Sequence, residues 1–146
     1  MKFVSTRGGT SSTSIDMALV AGLAPDGGLY VPESIPSLAS IAPRATLVET
    51  AQAVLAPYFI DSVLRENLGE ICAKAFSFDA PLRALHGAND WLLELFHGST
   101  AAFKDYAARW CAVLFAGLCA PDAPTRTIIV ATAGDTGGAG VAHCSR

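Results

Sequence analysis

Lys104 is the residue whose type and position most directly suggest covalent chemistry. It follows an apolar stretch and a Gly-Ser-Thr turn (residues 98–100), at the predicted start of a helix, with Phe103 and Tyr106 beside it. The amino end of a helix carries partial positive charge. Aromatic neighbours withdraw solvent, so both features favour a neutral, reactive amine. Such a lysine can form a Schiff base with a carbonyl compound; the alternative is a surface lysine that extends into water.

A second candidate site is the glycine-rich stretch 133–140 (AGDTGGAG), which follows the β-branched segment 127–132. It has neither the lysine of a P-loop nor the spacing of a dinucleotide fingerprint. Small residues, free backbone N–H groups at a helix start and the hydroxyls of Thr132 and Thr136 suit a carboxylate or a phosphate. Asp135 would repel such an anion unless it points elsewhere or is neutralised. A purely structural turn is the alternative.

The surrounding pattern predicts the elements that carry these two sites. Residues 82–85 and 91–96 are predicted strands, Lys104 opens an apolar helix buried on more than one side, and a further helix starts near Gly138. Segment 127–132 has the composition of a central parallel strand. This order is typical of an open α/β sheet, in which adjacent strand ends open into one crevice.

The first 80 residues have a different pattern, of short helices with recognisable starts. Ser14 is predicted to cap a helix over residues 15–21. Thr46 and Glu49 match a capping box that opens a helix to about residue 59, and Asp61 is predicted to cap a third helix that runs to about residue 75. We therefore expect a mostly helical region, 1–80, followed by the start of an α/β domain, 81–146.

Composition and charge argue against several classes of function. A net charge of −3 gives no basic surface for nucleic acid, and the longest apolar run, 110–120, is too short to span a membrane. The amino terminus lacks the apolar run of a signal peptide, so a cytoplasmic protein is expected. The four cysteines and three histidines have no metal-site spacing. Nothing in the pattern predicts an oligomeric state.

Four separate motifs resemble those of one enzyme family. Residues 95–105 (LFHGSTAAFKD) and 131–137 (ATAGDTG) are similar to the lysine motif and the substrate loop of the threonine synthases. Residues 5–8 (STRG) and 26–32 (DGGLYVP) resemble the amino-terminal motifs of the same family. The motifs occur in the family's order and cover the whole chain, but only the first third of the family's usual length. The chain is therefore expected to be the amino-terminal part of a longer protein.

The resemblance implies the tryptophan synthase β-like fold (fold type II), of which this chain would form an incomplete parallel sheet flanked by helices. It implies an enzyme that uses pyridoxal 5'-phosphate to convert O-phospho-L-homoserine and water into L-threonine and phosphate. Lys104 would hold the cofactor and move protons at the α and β carbons of the substrate, with Phe103 packed beside it. The substrate loop would consist of Thr132, Gly134, Asp135, Thr136 and Gly137.

The sequence also departs from the family pattern. Ala133 stands where the family has serine, and Ser99 where it has proline. The family's phosphate-binding loop and the group that faces the pyridine nitrogen would lie beyond Arg146. The 146 residues alone are therefore predicted to have no turnover. Two other interpretations stay open: an inactive chain or interaction module that keeps the front of the fold, and a related lyase such as a serine or threonine dehydratase.

Overall fold

A computed structural model describes residues 1–38, 45–87, 89–119, 127–132 and 134–144. This part of the chain contains four strands and five α-helices. In chain order they are β1 (Phe3–Ser5), α1 (Ile15–Ala21), β2 (Tyr30–Pro32), α2 (Leu47–Leu55), α3 (Leu68–Ala75), β3 (Leu82–Ala84), β4 (Trp91–Leu93), α4 (Lys104–Leu118) and α5 (Asp135–Cys144). Single 3₁₀ turns follow α2 (Ala56–Phe59) and precede α3 (Arg65–Asn67). Both helices are therefore shorter than predicted, and α3 begins after Asn67 rather than after Asp61. The sequence departure at Ala133 lies outside the described residues.

The predicted starts of α1 and α2 are confirmed by the hydrogen bonds of their caps. The Ser14 hydroxyl accepts a hydrogen bond from the backbone N–H of Met17 at 3.3 Å. At α2, the Thr46 hydroxyl accepts from the N–H of Glu49 at 3.2 Å, and the Glu49 carboxylate accepts from the N–H of Thr46 at 2.7 Å. Each cap satisfies backbone donors that the first helical turn leaves free.

One apolar cluster joins the helices of the first region to α4. Its buried side chains are Phe3, Ile15, Ala18, Ala51, Phe59, Leu64, Leu68, Ile71, Cys72 and Leu114. Trp110 of α4 packs edge-on against Phe59, with 6.0 Å between ring centroids, and stacks on Phe76 at 5.5 Å. These contacts fix α4 to the helical region, so the position of its first residue, Lys104, is set by the core.

Helix α4 packs on two sides, in agreement with its nearly all-round apolar sequence. It contacts α1 and α3 as well as α5. Its two fully buried residues, Asp105 and Leu114, lie nine positions apart and therefore on opposite sides of the helix. The other residues of α4 stay partly or wholly exposed.

Both strand pairs among the described residues are antiparallel. β1 pairs with β2, and β3 pairs with β4, so that Leu82 lies opposite Leu93. The β3–β4 hairpin forms as predicted, with strands shorter than the expected 82–85 and 91–96. Residues 127–132, predicted as a central parallel strand, are not in a strand, because a strand requires hydrogen bonds to a neighbouring one. No described strand pairs with them, so no parallel sheet forms within the described residues.

Candidate active site

Lys104 lies in the first turn of a helix, as the sequence predicts, and follows a tight turn. Backbone hydrogen bonds close the turn, from the N–H of Ala101 to the carbonyl of Gly98 (3.1 Å) and from that of Asp105 to Ala102 (3.0 Å). Ala101 has a φ angle of 55°, in the left-handed region that residues with a Cβ seldom adopt. Backbone strain of this kind persists only where the surroundings hold it.

The carboxylate of Asp105 holds this turn from inside. Asp105 is fully buried and accepts hydrogen bonds from the backbone N–H and the hydroxyl of Thr100, at 2.8 and 2.7 Å. Nε2 of His143, in the last turn of α5, lies 2.9 Å from the same carboxylate. Burial acts to raise the pKa of Asp105, but the hydrogen bonds from Thr100 and His143 outweigh it and hold this pKa below its ordinary value. A charged carboxylate therefore joins the turn, α4 and α5.

Gly98 makes room for that carboxylate. A Cβ at position 98 would lie 2.4 Å from Oδ2 and 2.5 Å from Cβ of Asp105, whereas carbon atoms in contact are separated by about 3.5–4.0 Å. Because Asp105 is fully buried, it has no room to move away. The glycine at the start of the Gly-Ser-Thr turn is thus required by the buried aspartate seven residues later.

The amine of Lys104 reaches across to α5. Its Nζ lies 2.7 Å from Oδ1 of Asp135 and 4.7 Å from the ring centroid of Phe103. Phe103 thus lies beside the amine, as predicted. Tyr106, which the sequence places on the other flank, instead donates its hydroxyl to the carbonyl of Asp79 at 2.6 Å. The amine is therefore covered by one ring and paired with one carboxylate.

The negative charge of Asp135 is balanced by the ammonium group of Lys104. The hydrogen bond from Lys104 holds the pKa of Asp135 below its ordinary value, and the backbone N–H of Thr136 adds a smaller effect in the same direction. The side chains of Lys104 and Asp135 are 33% and 49% exposed, so water screens the pair and its contribution to stability is small. When the pair opens, it releases an amine and a carboxylate to a ligand.

The glycine loop is organised around Thr132. The Thr132 hydroxyl accepts a hydrogen bond from the backbone N–H of Gly134 at 3.1 Å. A Cβ at Gly137 would lie 2.3 Å from the Thr132 methyl group, whereas nothing lies within 4 Å of the corresponding position at Gly134. The loop is therefore closed on its Thr132 side and open at Gly134.

The structure brings the two predicted motifs together, although their residues lie far apart in the sequence. The Lys104–Asp135 pair joins them, and Thr136 and Gly137 follow in the first turn of α5. The sequence predicted this meeting at the ends of adjacent strands; within the described residues it takes place between α4 and α5. Three residues of this arrangement had no predicted role: Thr100, Asp105 and His143. The Thr100–Asp105 spacing around the turn was a possible signal for two of them, whereas His143 offered none.

Comparisons with known proteins identify the family. A family model described as "Threonine synthase N terminus" matches residues 2–76. The chain belongs to this family. Threonine synthase of Pseudomonas aeruginosa is 41% identical over 155 residues, a match that covers 100% of this chain and 33% of that protein. Threonine synthase of Escherichia coli is 36% identical, and the match covers 98% of this chain and 33% of that protein. The chain thus spans about a third of the length of these threonine synthases.

Solved structures of threonine synthases have the same fold. The crystal structure of PLP-bound threonine synthase from Brucella melitensis superposes with a TM-score of 0.89 at 38% identity, over 99% of this chain and 33% of that one. For threonine synthase from Escherichia coli the TM-score is 0.84 at 32% identity, over 98% and 34% of the two chains. The chain therefore has the fold of the amino-terminal part of a threonine synthase, an enzyme of fold type II, as the resemblance implied. In the described part of the chain, no helix is long and apolar enough to cross a membrane.

Proposed function

We propose that this chain supplies the lysine side of a threonine synthase active site. The whole protein would use pyridoxal 5'-phosphate to convert O-phospho-L-homoserine and water into L-threonine and phosphate. The observation that carries the proposal is the Lys104–Asp135 contact, at 2.7 Å, which joins the lysine motif to the substrate loop. The threonine synthase relatives, each matched over about a third of its length, support the same reaction.

The residues around Lys104 fit a flat aldehyde cofactor. The lysine side chain is one-third exposed, the Phe103 ring lies 4.7 Å from Nζ, and the loop is open at Gly134. These features offer a reachable primary amine with an apolar ring beside it, and a loop that is unobstructed at Gly134. When bound, pyridoxal phosphate supplies the electron sink that stabilises negative charge at the α carbon of an amino acid.

Lys104 has two tasks in this proposal. Its Nζ binds the cofactor covalently, which requires that the pair with Asp135 opens first. When it is not bound to the cofactor, Nζ would be the base that removes and returns protons at the α and β carbons of the substrate. The short distance between Nζ and the loop supports this, because a base must lie within hydrogen-bond reach of the proton that it takes.

The substrate loop orients the amino-acid part of the substrate. Thr132, Gly134, Asp135, Thr136 and Gly137 form this loop in the proposal, and backbone N–H groups at the start of α5 suit the substrate carboxylate. The tight contact between Thr132 and Gly137 supports an orienting role, because it fixes the shape of the loop before any ligand arrives.

The domain division belongs to the same proposal. Residues 1–80 would form the amino-terminal region of the enzyme, and 81–146 the beginning of the cofactor-binding domain. The family match ends at residue 76, close to this boundary.

A second candidate is a catalytically inactive chain or an interaction module that keeps the front of the fold. The length of the chain, about a third of its relatives, favours this candidate for the 146 residues by themselves. A serine or threonine dehydratase gains no such support, since the relatives described above are threonine synthases.

The test is to trap pyridoxal phosphate on the purified chain with borohydride and to map the labelled peptides. The sequence has three lysines: Lys2, Lys74 and Lys104. Lys74 is the control, because it also forms an ion pair, with Glu70 at 2.6 Å, but belongs to α3 and is 63% exposed. We expect the label mainly on Lys104 and none at that position in Lys104→Ala. Equal labelling of Lys74 and Lys104 would contradict a preformed cofactor site.

A further inference from the structure

Two consecutive residues at the start of α4 hold the two ends of α5. Lys104 pairs with Asp135 in the first turn of α5, and Asp105 with His143 in its last turn. The eight-residue separation of Asp135 and His143 corresponds to about 12 Å along a helix. Helix α5, with the glycine loop at its start, is therefore attached across the beginning of α4 at two points.

The two attachments differ in their access to water. The side chains of Lys104 and Asp135 are 33% and 49% exposed, whereas those of His143 and Asp105 are 4% and 0% exposed. An exposed pair exchanges readily with solvent and ligands. A buried carboxylate with several hydrogen bonds is costly to disrupt, because each lost partner leaves an unpaired polar group in the interior.

We propose that Asp105 is a positioning residue for the Lys104 site, an inference that rests on the proposed function. Its carboxylate, held by Thr100 and His143, keeps the glycine loop beside the lysine amine after the Lys104–Asp135 pair has opened. The cofactor on Lys104 and the substrate in the loop then meet at a fixed spacing. Asp105 itself acts through the backbone of the turn and of α5 and transfers no proton.

The test uses two reagents that report on the three lysines of the chain. Acetic anhydride measures how accessible each amine is, without any cofactor, and pyridoxal phosphate with borohydride measures the formed site. Peptide mapping gives the rate of modification at Lys104 and at Lys74 in the same sample. Far-UV circular dichroism verifies that each variant is folded.

In Asp105→Asn we expect the two readouts at Lys104 to change in opposite directions. Acetylation rises by about threefold or more, because the amine loses its fixed partner and gains exposure. Trapping of pyridoxal phosphate falls about tenfold, the size expected for loss of a hydrogen bond to a charged group. Lys74 keeps its rates, whereas general unfolding would raise acetylation at both lysines.

Two further variants make the test independent of any single substitution. Thr100→Val removes one hydroxyl donor and keeps the shape of the side chain, so it should produce the same changes at smaller size. This variant can be measured even if Asp105→Asn does not fold. Asp26→Asn is the matched control. The Asp26 carboxylate accepts hydrogen bonds from the Ser5 hydroxyl (2.7 Å) and the N–H of Gly28 (2.9 Å), and its loss should leave Lys104 unaffected.

The positioning role would be overturned if the modification of Lys104 were unchanged in folded Asp105→Asn. If Asp105→Asn does not fold, an unchanged result in Thr100→Val would overturn it. The same is true if Asp26→Asn alters Lys104 as strongly as Asp105→Asn does. If the wild-type chain traps pyridoxal phosphate on Lys104 no better than on Lys74, the proposed function fails instead. Acetylation of Lys104 then decides by itself whether Asp105 positions the amine.

Discussion

The two regions of the chain are held together in different ways. The first, residues 1–76, has an apolar core in which Phe59 is 1% exposed and Cys72 is not exposed at all. The second, residues 82–144, has few buried apolar side chains among its described residues: Ala102, Leu114 and Ala139. Near Lys104, the polar contacts of Asp105 maintain the structure. The first region thus holds most of the apolar core, to which α4 adds Leu114. The turn before α4, α5 and the β3–β4 hairpin depend instead on a small number of specific contacts.

The second region also exposes much apolar surface. All six strand residues of the β3–β4 hairpin are exposed, and Ile129 is 89% exposed. Apolar surface of this extent is usually covered by further protein. The difference between the two regions is in keeping with a chain that spans about a third of the length of the relatives it matches.

The largest effect that we expect is the absence of turnover by the lysine region. With pyridoxal phosphate and O-phospho-L-homoserine, we expect the 146-residue chain to release no phosphate above background. The Lys104 amine and the loop are open to bulk water, which weakens the electrostatic contacts that orient a substrate and stabilise charge in the transition state. Phosphate release is measured over many equivalents of substrate. Repeated turnover that disappears in Lys104→Ala would contradict the prediction.

Two matched substitutions test in which region the apolar core lies. Phe59→Ala in the core should lower the free energy of unfolding by about 3–5 kcal/mol, through lost burial and the cavity left behind. Phe96→Ala, at a side chain that is 53% exposed, should lower it by at most about 0.5 kcal/mol. Unfolding in urea, followed by circular dichroism, measures both values. Equal losses would mean that the second region has a core of its own.

A pair of glycine substitutions tests how far the second region depends on Asp105. Gly98→Ala forces a Cβ against the buried carboxylate and should cost about 1–3 kcal/mol, the usual size of an overpacking penalty. Gly134→Ala meets open space and should change stability by less than about 0.5 kcal/mol. Amide hydrogen exchange of α5 should rise in the first variant and stay unchanged in the second. Similar exchange in the two would show that α5 is held by other contacts.

The smallest effect that we expect is an acid-induced loosening of α5. The pKa of Asp105 lies below its ordinary value of 3.8 in the folded chain. The unfolded chain therefore binds this proton first, so the carboxylate contributes stability above pH 3.8 and loses it as the pH falls through the lower folded value. Hydrogen exchange in α5 should accelerate there while α3, held by apolar contacts, stays protected. The step should be absent in Asp105→Asn; simultaneous loosening of α3 would argue against a separate polar attachment.

The local features of this protein could be predicted from the amino-acid sequence. Ser14 and Thr46 cap helices whose free N–H groups lie three residues away, and such contacts need only the neighbouring chain. The start of α4 at Lys104 and the β3–β4 hairpin were predictable for the same reason. Four short motifs also sufficed to indicate the family, because their residues and their order are specific.

The assembly of the candidate site depends on the packing of α5 against α4. Lys104 meets Asp135 across 31 positions of sequence, and Asp105 meets His143 across 38. Whether Asp135 was neutralised, and whether Asp105 was buried, depended on where α5 lies against α4. Residues 127–132 show where prediction from local pattern fails. Their β-branched composition favours a strand, yet a strand forms only beside a partner strand. Local pattern fixes what a segment can become, and packing between distant segments fixes which of its groups meet.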